Sequence, residues 1–235
     1  MSIYVIGDLH LSFNQNKPMD IFGKNWENHE EKIKQDWISK VKKDDTVILP
    51  GDFSWATYLN ETYLDFKFLN ELPGKKILLK GNHDYWWTTV KSMKDFLQEN
   101  HFENIEFLYN NAIKIEDKVI VGTRGWSFQD SENSTKMINR ENQRLELSIK
   151  SAIEEYGSGI EIIAFMHYPP ILHSLLFENN HLEFYKTLKK YDIKRCYYGH
   201  LHSKSHAEAV IGDVEGIEFN LVSADYLNFK LLKIT

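Results

Sequence analysis

Five short blocks of this chain carry residue types that do metal chemistry. They are Asp8-Leu9-His10, Gly51-Asp52, Gly81-Asn82-His83-Asp84, Met166-His167 and Gly199-His200-Leu201-His202. Four follow an apolar run directly, and Asp52 follows Thr46-Val47-Ile48-Leu49 after two residues. Each side chain type can ligate a metal ion, and imidazole mixed with carboxylate and amide oxygen suits Zn, Mn or Fe better than Ca. An open α/β sheet gathers its strand ends at one edge, where ligands bind. Five strand-end blocks of this kind therefore point to one metal-dependent site. Singly, each block also has a bland reading, with Asp8 capping a turn and His10 solvated. On an extended backbone, Asp8 and His10 at i and i+2 would face one side, and so would His200 and His202.

The elements that must position these residues alternate in type. Strands are expected at residues 3–7, 46–49 and 76–80, with helices at 26–41 and 59–71 between them and a loop at 11–25. This β-α-β-α-β order with short links implies parallel crossovers. A helix is expected at 88–99, then strand-like pieces at 105–108, 112–115 and 119–122 that open a second sheet. A long charged helix spans 136–156 and is stopped by Gly157-Ser158-Gly159. Strands at 161–166 and 194–198 deliver His167 and His200, with a helix at 181–191 between them. The alternating stretches 217–222 and 228–232 read most simply as an antiparallel pair in the second sheet.

Two further features lie beside these blocks. Tyr85-Trp86-Trp87 either walls the site structurally or offers Trp86 for stacking on a substrate ring. Arg124 follows a strand and is either a phosphate contact or a surface arginine.

Composition bounds the setting. The chain has 235 residues, 42% hydrophobic and 26% charged, which fits one globular domain over 1–235. A net charge of −6 gives no basic footprint for a nucleic-acid partner. The single cysteine, Cys196, cannot form an internal disulfide, and no apolar run approaches the ~20 residues of a membrane span. With no signal-peptide pattern at Met1–Asp8, the expectation is a cytoplasmic protein with no membrane partner.

The ordered set D-x-H, G-D, G-N-H-D, H and G-H-x-H over residues 8–202 resembles the calcineurin-like metallophosphoesterases. The resemblance implies an α/β fold, a four-layer α/β/β/α sandwich of two mixed sheets flanked by helices. It implies two divalent metal ions (Mn, Fe or Zn), one held by Asp8, His10 and His202, the other by Asn82, His167 and His200, with Asp52 bridging. In such a centre a metal-bridging hydroxide attacks phosphorus, His83 assists the leaving group, and Asp84 orients His83. The implied substrate is a small phosphodiester or phosphomonoester. Trp55, Trp86, Trp87 and Trp126 hint at a ring-bearing one such as a nucleotide. A metal-free scaffold of the same fold, a protein phosphatase and a nuclease remain the alternatives.

Overall fold

In the computed structural model, residues 1–15, 17–128, 132–157, 159–175 and 182–235 are described. The chain divides into two compact units: Met1–Phe107 with Val222–Thr235, and Leu108–Leu221.

The first unit is built on β1 (Ile3–Val5), β2 (Thr46–Pro50), β3 (Lys75–Leu79) and β4 (Ile105–Phe107), all mutually parallel. The helices α1 (His29–Lys40), α2 (Tyr63–Glu71) and α3 (Val90–Glu99) connect them. Ile33 and Trp37 of α1, Phe66 and Leu69 of α2 and Met93 and Leu97 of α3 share one apolar cluster with Tyr4, Val47, Leu49, Leu78 and Phe107 of the strands. The alternate strand residues Ile3, Val5, Ile48, Ile77 and Leu79 are equally buried. Both sheet faces are thus out of water, which is why these strands read as continuous apolar runs rather than alternating ones.

The second unit holds β5 (Ile113–Ile115), β6 (Lys118–Thr123), β7 (Glu161–Met166), β8 (Arg195–Tyr198), β9 (Gly212–Val214) and β10 (Ile217–Leu221) in the order β5-β6-β7-β8-β10-β9. The inner four are parallel, and β5 and β9 are antiparallel edges. Helices α4 (Glu132–Tyr156) and α5 (Glu183–Lys190) pack Ile138, Leu145, Ile149, Phe184 and Leu188 against Val119, Val121, Ala164 and Phe219. The fold is α/β, with two mixed sheets flanked by helices, as expected.

Three expectations are corrected. Residues 105–107 do not open the second sheet; they pair with β3 in the first. The stretch 228–232 does not pair with 217–222. The chain forms β11 at Leu232–Lys233, antiparallel to β1, while β10 pairs parallel with β8. The intervening residues 223–231 pack Ala224, Phe229 and Leu231 into the apolar core of the first unit, and the Leu231 N–H donates to the Asp36 carboxylate at 2.8 Å. The loop at 11–25 contains two 3-10 turns, Met19–Phe22 and Lys24–Trp26. The proposed helix start at His181 and the stop at Ser158 lie outside the described residues.

Lys76, at the start of β3, is fully buried and its ammonium donates to the Leu72 carbonyl just past the end of α2. Burial pushes its pKa down to about 7, against roughly 10.4 in an unfolded chain. Below pH 7 the folded state carries the full burial penalty. Between the two values the unfolded chain holds the proton and the folded chain does not, so stability rises with pH. Lys76→Met should therefore raise the unfolding free energy at pH 6 by on the order of 1–2 kcal/mol, and the gain should shrink toward pH 10. Urea unfolding across this range checks it, and a gain independent of pH would refute the cause.

Candidate functional site

Parallel strands bring their C-terminal ends to one edge of a sheet, and in each unit that edge carries the chemistry. In the first unit the segments leaving β1 and β2 zip together. Asp8 N–H donates to Gly51 O at 3.0 Å, His10 N–H to Asp52 O at 3.0 Å, Leu11 N–H to Phe53 O at 2.9 Å, and Trp55 N–H back to Leu11 O at 2.9 Å. Asp8, His10 and Asp52 take left-handed φ values of 57°, 47° and 51°. The extended spacing expected for Asp8 and His10 is thus replaced by alternate left-handed residues. Such residues cost of order 1–3 kcal/mol each and persist only where their surroundings over-determine them, which is typical of functional sites.

The over-determination comes from Asp84. Its buried carboxylate accepts N–H groups from Asp52 (2.9 Å) and Gly81 (2.7 Å) on Oδ2, and from Phe53 (2.9 Å), Ser54 (3.2 Å) and the Trp86 indole (3.0 Å) on Oδ1. Burial pushes this carboxyl upward against the pull of those donors. Its oxygens take four backbone N–H groups and the Trp86 indole, which ties down the turn that carries His83. Asp52 takes part as well, because its Oδ1 accepts the His83 N–H at 2.8 Å.

The close approach of these two turns needs a glycine. A Cβ on Gly81 would lie 2.1 Å from Asp52 Oδ1 and 2.2 Å from Asp52 N.

The donor set fits a metal. Asp8 and Asp52 are buried carboxylates, and His10 Nε2 stands 3.7 Å from Asp52 Oδ2. That is longer than a hydrogen bond and close to the separation of two ligands each bonded at roughly 2.1 Å to one ion. Asn82 is half-buried on the β3 turn.

The rings around these groups are ordered. Trp55 stacks on His10 with centroids 5.0 Å apart and lies 4.5 Å from the His83 ring, while Lys17 Nζ sits 4.7 Å over its centroid. Tyr85 is exposed and meets His83 edge-on. Trp86 is the opposite case. At 2% exposure, packed on Phe53, Phe66 and Trp87, it has no face to offer a substrate, and its assignment as a binding residue is corrected. It is a wall, and its N–H serves Asp84.

Sequence reasoning missed His29. This buried ring faces Leu9 O at 3.1 Å and Trp26 O at 3.2 Å, bracing the Asp8–His10 turn from α1. A histidine opening an amphipathic helix gives no signal of that role.

In the second unit, β6, β7 and β8 end on Arg124, His167 and Gly199-His200. His167 is fully buried, and its ring meets His200 at 5.1 Å and 74°. His200 again has a left-handed φ, 72°, and lies against the Tyr168 ring at 4.2 Å. His202 precedes the 3-10 turn Ser203–Glu208, and the Ser205 hydroxyl pins its backbone, accepting its N–H at 2.8 Å and donating to its carbonyl at 2.7 Å. Arg124 is mostly buried. Its guanidinium covers the Trp126 ring at 4.6 Å and lies 3.6 Å from Glu141.

The fold is an α/β one of two mixed sheets whose strand ends carry Asp, Asn and His, residue types that can hold a metal ion. The sequence matches the calcineurin-like phosphoesterases over residues 1–204, and the chain belongs to that family of phosphoester hydrolases. The Gene 66 protein of Mycobacterium phage L5 is 31% identical over 77 residues, 33% of this chain and only 37% of that relative's length. Among solved structures, the phosphopantetheinyl hydrolase of Mycobacterium tuberculosis aligns with a TM-score of 0.57 at 14% identity, covering 99% of this chain and 95% of the other. A protein of unknown function from Aquifex aeolicus aligns with a TM-score of 0.52 at 19% identity, with the same coverages. At these identities the likeness is one of fold.

Two substitutions test the scaffold. Gly81→Ala should cost roughly 2–4 kcal/mol, because the methyl must displace the Asp52 backbone. Asp84→Asn should cost a similar amount, because an amide N–H₂ then faces backbone donors. Thermal unfolding gives both, and wild-type stability in either variant would sink this account of the turns.

Proposed function

We propose that the chain is a metal-dependent hydrolase of a small phosphodiester or phosphomonoester, acting with two divalent ions (Mn, Fe or Zn). The observation that carries this reading is Asp52. It is buried, held in a left-handed conformation, directed at His10 and hydrogen-bonded to the His83 N–H. The family's ligand pattern assigns Asp8, His10 and His202 to one ion, Asn82, His167 and His200 to the other, and Asp52 to both. None of these positions is substituted here, which favours an enzyme over a metal-free scaffold. The family match runs through both units and supports reading residues 1–235 as one domain.

Bound divalent ions supply Lewis acidity toward the phosphoryl oxygens and a nucleophilic water at neutral pH. The chain's own residues do the rest. His83 is half-buried, with Trp55 and Tyr85 limiting its ring, and in this reading it gives a proton to the leaving oxygen. Arg124 offers a planar fork to a phosphate oxygen. The single cysteine, Cys196, is buried and free, which supports the cytoplasmic setting. No helix among the described residues is long and apolar enough to cross a membrane.

Metal analysis together with hydrolysis of bis-p-nitrophenyl phosphate and p-nitrophenyl phosphate tests this reading. The expected result is two divalent ions per chain and turnover of at least one ester. Neither metal uptake nor turnover would leave a scaffold. Asp52→Asn should sharply weaken metal binding. His83→Ala should keep the metals and lower turnover about 10²–10⁴-fold, and loss of metal in that variant would refute its role.

A further inference from the structure

The second unit sets Arg124 in a wider charge arrangement, most of which the metal chemistry does not use. Glu141 of α4 is fully buried, and three arginines surround its Oε1: Arg144 at 2.6 Å, Arg124 at 3.6 Å and Arg140 at 3.8 Å. Only Arg144 is within hydrogen-bond distance, and Thr123 Oγ1 donates to the other carboxylate oxygen at 2.8 Å. Among the described residues one carboxylate therefore faces three guanidiniums, a local surplus of two positive charges. Two other acids of α4 are engaged elsewhere, Glu132 with Lys136 and Glu146 with Lys150 and Lys190.

A structural ion pair accounts for Arg144 but not for the others. Arg124 is held rigidly between Glu141 and the Trp126 ring, yet its Nε is buried without a hydrogen-bond partner among the described residues. Arg140 is half exposed and leaves a guanidinium at the surface of the cluster, and a planar fork is built to pair with a phosphate or carboxylate. Burial holds the Arg124 guanidinium below its usual value, and Arg140 and Arg144 add to that push while Glu141 opposes it. An added anion would relieve this.

Position ties the cluster to the site. The Arg124 carbonyl accepts the N–H of Tyr168, the residue after His167, at 2.9 Å. From Arg124 a continuous run of rings leads through Trp126 and Tyr168 to His200. Gly125 permits this packing, since a Cβ there would lie 3.0 Å from Met166 Cε and 3.2 Å from Tyr168 Cβ.

The geometry points to an anion subsite at Arg124 and Arg140, which receives a second phosphate group of the substrate while the scissile phosphate lies at the histidines. This rests on the phosphohydrolase reading and narrows its substrate class to esters bearing two phosphates.

Calorimetric titration of the full chain with inorganic pyrophosphate, before and after chelation with EDTA, tests the subsite without turnover. Arg140 is half exposed, so Arg140→Gln should fold normally, and Arg124→Lys keeps the charge while losing the fork. The expected result is binding that survives chelation and weakens at least tenfold in both variants, but not in Lys150→Gln on the same helix. KM for a nucleoside 3′,5′-bisphosphate should also lie at least tenfold below that for p-nitrophenyl phosphate, and Arg140→Gln should remove the difference. Pyrophosphate binding that disappears on chelation, that is indifferent to both arginines, or that leaves the KM ratio near one overturns the subsite. Subsite binding in a protein with no hydrolytic activity would instead sink the phosphohydrolase reading.

Discussion

The Asp84 carboxylate is the constraint on which the first unit's site depends. Four backbone N–H groups from two separate turns and one indole N–H converge on its two oxygens. A peptide turn that ends a buried strand leaves donors with no ladder partner, and burying them unpaired would cost a few kcal/mol apiece. One carboxylate satisfies the donors of both turns at once. The turn that carries Asp52 and the turn that carries Asn82 and His83 are thereby fixed against each other, close enough that only glycine fits at residue 81.

That lock explains how the chain sustains so much unfavourable backbone at its strand ends. Asp8, His10 and Asp52 all sit in the left-handed region. Their peptide groups are tied between the two segments, and His29 braces the Asp8–His10 turn from behind. The curled backbone replaces the extended spacing that would by itself set Asp8 and His10 on one side. His10 and Asp52 approach without a hydrogen bond because the scaffold sets their separation. The second unit uses a lighter device, a left-handed His200 against Tyr168 and a serine hydroxyl clamped on both polar groups of the His202 backbone.

The aromatic residues divide by burial rather than by position in the sequence. Trp86 and Trp87 close the wall behind the site, whereas Trp55, Tyr85 and Trp126 keep surface beside the chemistry. Neighbours in the chain face opposite ways where the turn after β3 reverses, so adjacency to the motif does not make a residue part of the binding surface.

Much of the site was legible in the sequence, because a buried parallel strand must be apolar throughout and a polar ligand can only stand where it ends. That contrast alone picks out Asp8, Asp52, Asn82, His167 and His200. The parallel strands β1 to β3 and β6 to β8 were legible for the same reason. What remained for the tertiary structure depends on partners distant in the chain. β11 pairs with β1 instead of β10, because short alternating stretches carry no register of their own. The five donors of Asp84 come from residues 52–54, 81 and 86, and which of them meet is decided by how two turns pack. Glu141, Arg140 and Arg144 are likewise unremarkable letters on a charged helix until the end of β6 brings Arg124 alongside. Local pattern determines which residues are chemically capable. Only the folded chain determines which are desolvated, which are matched in charge and which are left with an unmade bond, because burial and electrostatic balance belong to the assembled neighbourhood.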